Sequence, residues 1–129
     1  MFYIVGLVAA VASFAIGCLW YTALFGAVWQ REMGFSDERV GRIFVPGRIA
    51  LALASELVAA LCMTGMLLHL PYDLAVNAVM VAVVLVGAGV KLAVYDGKSL
   101  LLIAVNQGYQ LLTVAVLTSG VLLFGSQMT

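Results

Sequence analysis

Long apolar runs alternate with short polar links along the chain. A helix needs roughly 20 apolar residues to cross the hydrocarbon core of a bilayer. Four runs reach that length, at about residues 2–29, 49–70, 74–94 and 100–124. None of them alternates apolar and polar residues with the period of two that a membrane β-barrel requires. The pattern therefore predicts an all-α fold, with one integral membrane domain over residues 1–129 built as a four-helix transmembrane bundle.

Composition supports a membrane protein. The chain is 65% hydrophobic and 9% charged, whereas soluble domains carry about 25% charged residues. Six Lys and Arg balance six Asp and Glu, so no basic field exists to bind a nucleic acid, and we exclude nucleic acid as a partner. The first run is longer than the core of a cleavable signal peptide and has no basic residue before it, so we expect it to remain as a helix.

The basic residues predict the orientation of the bundle. All six lie in or beside the first and third links, at Arg31, Arg39, Arg42, Arg48, Lys91 and Lys98. Loops rich in Lys and Arg stay in the cytoplasm. Because the links are short, we predict an up-down-up-down bundle in the bilayer with both termini outside. The one-sided charge also argues against an antiparallel, dual-topology dimer, so self-association would give a parallel homo-oligomer.

The first link is long enough to contain structure. Ser36 can cap a helix, and two acidic residues follow it at the positive helix end. Val40, Ile43 and Phe44 share one face at helical spacing. We predict a short amphipathic helix over 37–45 on the cytoplasmic surface, with a plain polar loop as the alternative.

Small residues at helical spacing indicate close helix packing. They form stripes on three helices, at Ala9, Ser13 and Gly17, at Ala50 and Ala54, and at Ala104 and Gly108, while Gly87 and Gly89 make the third helix thinner. These stripes are predicted to be packing seams within the chain or contacts between copies.

Aromatic residues near the ends of the runs are interpreted as interfacial anchors. They are Tyr3 and Tyr72 at the outer ends, and Trp29 and Tyr95 at the inner ends. Cys18 and Cys62 lie inside spans, so we expect buried thiols without a disulfide.

Glu56 is the most informative residue within the spans. A carboxylate there costs about 2.5–3.5 kcal/mol on insertion, so it must find a partner, stay protonated or face water. It comes eight residues after Arg48, and Asn106 comes eight residues after Lys98, so each is roughly 12 Å inside the inner edge. The same inner half of the bilayer also contains Trp20, Tyr21, Lys91, Gln107, Tyr109 and Gln110.

This polar layer has two interpretations. In the first, Glu56 is a hydrogen-bonded core acid, the amides join the helices, and Lys91 extends to the headgroups. In the second, the layer lines a cavity open to the cytoplasm, where Glu56 binds a cation or exchanges a proton.

No catalytic constellation is visible in the sequence. It contains no phosphate-binding loop, CxxC or HExxH motif, and no serine paired with a plausible His and acid. His69 lies near Asp73 at the outer end of the second helix, and because a single His is weak support for a metal site, we interpret it as an interfacial residue. We therefore predict no enzyme activity, no cofactor and no metal site.

Several motifs resemble one protein family. Residues 17–29 read Gly-Cys-Leu-Trp-Tyr-Thr-Ala-Leu-Phe-Gly-Ala-Val-Trp. They resemble the first helix of an uncharacterised family of small bacterial four-span membrane proteins, typically Gly-x-x-Trp-Tyr-Ser-Pro-x-x-Phe-Gly-x-x-Trp. Three further segments resemble that family, namely Gly34-Phe-Ser-Asp-Glu38, the turn Asp96-Gly-Lys98, and Asn106-Gln-Gly-Tyr109.

The resemblance implies a four-helix fold in a bacterial inner membrane, and it supplies no activity because the family's function is unknown. It points to Trp20, Tyr21, Asn106 and Tyr109, the residues of the matching motifs. The chain has Thr22-Ala23 where the family has Ser-Pro, so we expect the proline kink of the first helix to be absent.

Two hypotheses about function follow. The leading one is a self-associating bundle whose inner-leaflet pocket around Glu56 binds or moves a small polar or cationic solute. The alternative is a non-catalytic accessory or assembly subunit of a larger membrane complex. Small multidrug exporters have a similar length and span number, but their essential acid lies in the first helix, where this chain has none.

Overall fold

The computed structural model of the protein describes residues 2–128, with the side chains of residues 4–124. The described part is helical and contains no strand, so the all-α prediction is confirmed. Its elements are α1 (Phe2–Leu19), a π-helical segment (Trp20–Leu24), α2 (Gly26–Met33), α3 (Asp37–Ile43), α4 (Pro46–His69), α5 (Leu74–Tyr95) and α6 (Leu100–Met128). Four stretches are long and apolar enough to cross a membrane, namely Ile4–Leu24, Pro46–His69, Leu74–Tyr95 and Leu100–Phe124.

The first apolar run is an interrupted helix. The backbone N–H of Phe25 donates to the Trp20 carbonyl at 2.8 Å, five residues back, which widens this turn into a π-helix. The Thr22 hydroxyl donates to the Cys18 carbonyl, a bond that bends helices. Phe25 then leaves helical geometry (φ −124°, ψ 11°) before α2 begins. The helix is therefore irregular over residues 20–25, although this chain has no proline there.

A short helix occupies the first link. α2 ends at Gly34, whose φ of 70° favours glycine, and the Phe35 N–H donates to the Gln30 carbonyl. α3 then starts after Ser36, whose hydroxyl accepts from the Arg39 N–H at 3.2 Å. The predicted helix and its cap are present, and the helix ends at Ile43, two residues earlier than predicted.

The core lies where α1 packs against α4 and α6. The stripe of Ala9, Ser13 and Gly17 is buried there, so this seam is confirmed. Of the other predicted small residues, Gly89 and Gly108 lie against the side chains of Gln107 and Trp20. Exposed on the chain are Ala50, Ala54, Gly87 and Ala104. Apolar side chains pack around the small residues and fill the core, at Ala60, Met63, Leu67, Val81, Val114, Leu117 and Val121.

Asn77 joins the start of α5 to the end of α4. Its side-chain Nδ2 donates to the carbonyls of Leu67 at 3.0 Å and Leu70 at 3.1 Å. These carbonyls belong to the last turn of α4 and its C-cap, where backbone acceptors lack partners inside the helix. Asn77 is 1% exposed, and its own Oδ1 has no hydrogen-bond partner in the described part of the chain.

Only some of the predicted anchors and cysteines have the exposure that the sequence predicts. Tyr72 and Tyr95 are exposed, whereas Trp29 is partly buried among aromatic rings. The side chain of Tyr3 lies outside the described residues. Both cysteines, at positions 18 and 62, are free thiols as predicted, but they are exposed on the chain rather than buried.

Candidate ligand-binding cleft

A cleft of about 490 Å³ lies between α1, the π-helical segment, α4 and α6, with α3 at one end. Exposed residues such as Cys18, Thr22 and Ala52 contribute to its wall, so the cleft reaches the protein surface. The full lining consists of Phe14, Gly17, Cys18, Tyr21, Thr22, Trp29, Ile43, Phe44, Arg48, Ile49, Ala52, Glu56, Asn106 and Tyr109.

The Glu56 carboxylate lines this cleft, and few groups of the protein offset its negative charge. No ion pair with Glu56 occurs among the residues that the structure describes. Its Oε1 is 3.4 Å from the Tyr109 hydroxyl, which is long for an O–H···O hydrogen bond. The same hydroxyl is closer to the Ser13 carbonyl, at 3.0 Å, and has one proton to donate. The carboxylate therefore keeps most of its acceptor capacity directed toward the cleft.

Aromatic rings form a continuous wall from Glu56 to α3. The Tyr109 and Tyr21 rings are 5.6 Å apart between centroids, and Tyr21 is 6.3 Å from Trp29. Trp29 in turn contacts the rings of Phe44 and Phe35, at 5.9 and 5.5 Å. Tilted and edge-to-face pairs at these distances are the favoured geometry of aromatic contacts. The wall presents ring faces and edges beside a carboxylate.

Two hydrogen bonds hold the π-helical segment against α6. The Trp20 indole N–H donates to the Val105 carbonyl at 3.0 Å, and the Tyr21 hydroxyl donates to Asn106 Oδ1 at 2.8 Å. Consecutive residues of one helix thus bond consecutive residues of another. Trp20 also packs its ring edge on Gly108, where an added Cβ would come within 3.0 Å of it. These contacts position Tyr21 and Asn106 at the cleft, while the Trp20 ring lies behind its wall.

Gly17 lets the Tyr109 ring approach α1. A Cβ at this position would lie 2.7 Å from the Tyr109 hydroxyl oxygen and 2.8 Å from its Cζ. Real Cβ atoms do not come that close, so the ring occupies this place only because residue 17 has no side chain. The hydroxyl thereby reaches both the Ser13 carbonyl and Glu56.

The remaining residues of the predicted layer lie elsewhere. Gln107 packs its amide at Gly89 on α5, with Oε1 buried and without a hydrogen-bond partner in the described chain. Gln110 is partly buried and does not line the cleft. Lys91 is exposed on α5 and is likewise absent from the lining. On α6, Asn106 and Tyr109 thus line the cleft, whereas Gln107 packs against α5.

Sequence reasoning identified four of the fourteen residues that line the cleft and missed the other ten, among them Phe14, Trp29, Phe44 and Arg48. The sequence pattern predicts an interfacial anchor at Trp29 and, at Phe44, the apolar face of a surface helix. Both interpretations follow from the position of each residue along its own helix. The packing of α2 against α6 and the contact between the Trp29 and Phe44 rings bring these side chains to the cleft, and no local pattern encodes either contact.

The side chains of the cleft can bind a positively charged group. Within the described residues, no group of three His, Cys, Asp or Glu side chains could hold a metal ion. One carboxylate without an ion pair, an amide and several aromatic rings are suited to a cation with an apolar surface, because cations are attracted both to carboxylates and to ring faces.

Comparison with known proteins places the chain in a family. The model of a family described as "Protein of unknown function (DUF1761)" matches residues 4–123, almost the whole chain. The chain belongs to this family. The matched range includes every element that forms the cleft of this DUF1761 protein, and the family is uncharacterised in function. No curated protein and no solved structure matches the chain.

Proposed function

We propose that this protein binds a small organic cation in the cleft, with Glu56 as the counter-charge and Tyr21, Trp29 and Tyr109 as the aromatic wall. The observation that carries the proposal is the Glu56 carboxylate, which lies in an open cleft without an ion pair in the described chain. A carboxylate inside a membrane span without such a partner costs free energy that a bound cation offsets. Arg48 lies eight residues away along α4, roughly 12 Å, at the opposite end of the cleft.

The membrane arrangement is part of the same proposal. The bundle runs up-down-up-down in the inner membrane of a bacterium, with both termini outside and α3 on the cytoplasmic surface. Contacts that bring Val5 to Gly120 and Trp20 to Val105 support opposite directions for α1 and α6. In this orientation the cleft lies in the inner leaflet, and the protein moves its solute or presents it there as a parallel homo-oligomer.

A pair of isosteric ions tests the binding site. Tetraphenylphosphonium and tetraphenylborate have nearly the same shape and opposite charge, so their comparison isolates electrostatics. We expect the purified protein to bind the cation, measured by quenching of tryptophan fluorescence, and Glu56→Gln to weaken this binding at least tenfold. Glu32→Gln is the matched control, because Glu32 pairs with Arg31 outside the cleft.

The outcomes separate binding from folding. Both variants are expected to unfold at the temperature of the original protein, because Gln keeps the shape of Glu. The proposal is wrong if the borate anion binds as well as the cation, or if Glu56→Gln and Glu32→Gln bind the cation equally.

A second candidate function is an accessory subunit of a membrane complex. The observation that favours it is the exposure of α5. Only 11% of the residues in its most apolar stretch are buried within the chain, the smallest share of the four spans. Native mass spectrometry after gentle extraction distinguishes the candidates. A homo-oligomer that retains a small molecule supports the cleft proposal, whereas a stoichiometric foreign subunit supports the accessory role.

A further inference from the structure

A second recess, also of about 490 Å³, lies beside α3. Its wall is formed by Phe35, Arg39, Arg42, Ile43 and Arg48. Three of the six basic residues of the chain thus line one small volume, and no acidic residue belongs to its wall. Such a concentration of guanidinium groups attracts an anion.

The positive charge of this recess is not neutralised by the protein. None of its three arginines forms an ion pair with Asp or Glu in the part of the chain that the structure describes. Asp37, at the start of the same helix, accepts a hydrogen bond from Gln30 Nε2 at 2.7 Å instead. The Arg39 guanidinium lies 4.5 Å from the centroid of the Phe35 ring, which orients it by a cation–π contact. Guanidinium groups bind phosphate oxygens in bidentate geometry.

The recess lies where a membrane span begins. Arg48 is in the first turn of α4, and the apolar span on this helix starts at Pro46. The side chains beside it, Phe44, Val45 and Ile49, are 48%, 39% and 41% exposed. Apolar surface next to a basic recess complements a molecule that carries a phosphate and acyl chains together. A soluble anion would gain nothing from that apolar surface.

We propose that the recess of Phe35, Arg39, Arg42, Ile43 and Arg48 binds the phosphate of an anionic phospholipid. This function is separate from cation binding in the cleft and does not depend on Glu56. Ile43 and Arg48 line both volumes. A bound headgroup therefore sits at the α3 end of the cleft.

Lipid titration of the full-length protein tests the site. Native mass spectrometry in detergent compares phosphatidylglycerol with phosphatidylcholine, on the original protein and on the double variant Arg39→Gln/Arg42→Gln. Removing two near-surface charges is expected to weaken phosphatidylglycerol binding roughly 30-fold. Arg31→Gln is the matched control, because Arg31 is exposed, pairs with Glu32 and lies outside the recess. If the double variant does not fold, Arg42→Gln alone is used, with a loss of roughly fivefold expected.

The outcomes are distinct. Tighter binding of phosphatidylglycerol than of phosphatidylcholine, lost in the double variant and kept in Arg31→Gln, supports the site. Equal binding of the two lipids, or an equal loss in Arg31→Gln, overturns it. Inorganic phosphate that binds as tightly as the lipid assigns the recess to a soluble phosphate and also overturns it. Glu56→Gln is expected to leave lipid binding unchanged, which keeps this result independent of the cleft proposal.

Discussion

The missing side chain of Gly17 decides where a ring on another helix lies. Tyr109 occupies the space beside residue 17, and from there its hydroxyl reaches the Ser13 carbonyl and Glu56. The family resemblance identified both Gly17 and Tyr109 by motif, but their contact joins residues that are far apart in sequence. The motifs identified these two residues, and only packing showed that they touch.

Gly17→Ala is expected to destabilise the protein by about 1–3 kcal/mol, as for other small-to-large changes in packed sites. The added methyl group displaces the Tyr109 ring and its hydrogen bond to Ser13. Thermal unfolding in detergent measures the effect. Gly65→Ala is the control, since an added Cβ there meets no atom within 4 Å, and it is expected to leave the unfolding temperature unchanged or raised. Equal unfolding temperatures for the two variants would contradict this account of Gly17.

At the scale of elements, hydrophobic length predicted the helices better than it predicted their interruptions. The three later spans begin and end within about three residues of the predicted bounds, apart from α6, which continues to Met128. The first run is divided by the π-helical segment. Because this chain lacks the Ser-Pro pair of the family that it resembles, the sequence predicted a first helix without a proline kink. The bond from Thr22 to Cys18 and the wide turn at Phe25 make the helix irregular without proline. Both alter the regular pattern of hydrogen bonds along the helix, as a proline would.

The joint between α4 and α5 depends on Asn77. Asn77→Leu removes two hydrogen bonds and leaves the Leu67 and Leu70 carbonyls without these partners, which is expected to cost about 1–3 kcal/mol of unfolding free energy. Chemical unfolding in mixed micelles measures it. Ser119→Ala is the control, because its exposed hydroxyl bonds only within α6, to the Ala115 carbonyl. A loss no larger than that of Ser119→Ala would show that Asn77 does not hold the joint.

At the scale of the whole molecule, the four spans bury only a small part of one another's surface. Most large side chains exposed on the chain are apolar, which suits helices surrounded by lipid. The proposed orientation depends on the basic residues, which concentrate near α3 and the turn between α5 and α6.

Single cysteines test the orientation. In a background with Cys18→Ala and Cys62→Ala, Asp73→Cys places a thiol in the turn before α5 and Asp96→Cys places one in the turn after it, at two exposed positions. A membrane-impermeant maleimide applied to intact spheroplasts is expected to label Asp73→Cys and to leave Asp96→Cys unlabelled until the cells are permeabilised. The reverse order would invert the bundle and place the cleft in the outer leaflet.

The sequence by itself determined the all-helical class of this protein, its four long apolar helices and the short helix after Ser36, because apolar length and capping depend on contiguous residues. It also identified Glu56, Asn106, Tyr21 and Tyr109, since polar and aromatic residues within spans stand out by composition alone. Tertiary structure decided the rest. It directed Gln107 to α5, left Lys91 outside the cleft, and added Trp29, Phe44 and Arg48 to it. Depth along a helix follows from counting residues, whereas the direction that a side chain faces within a bundle depends on how every helix is rotated and packed.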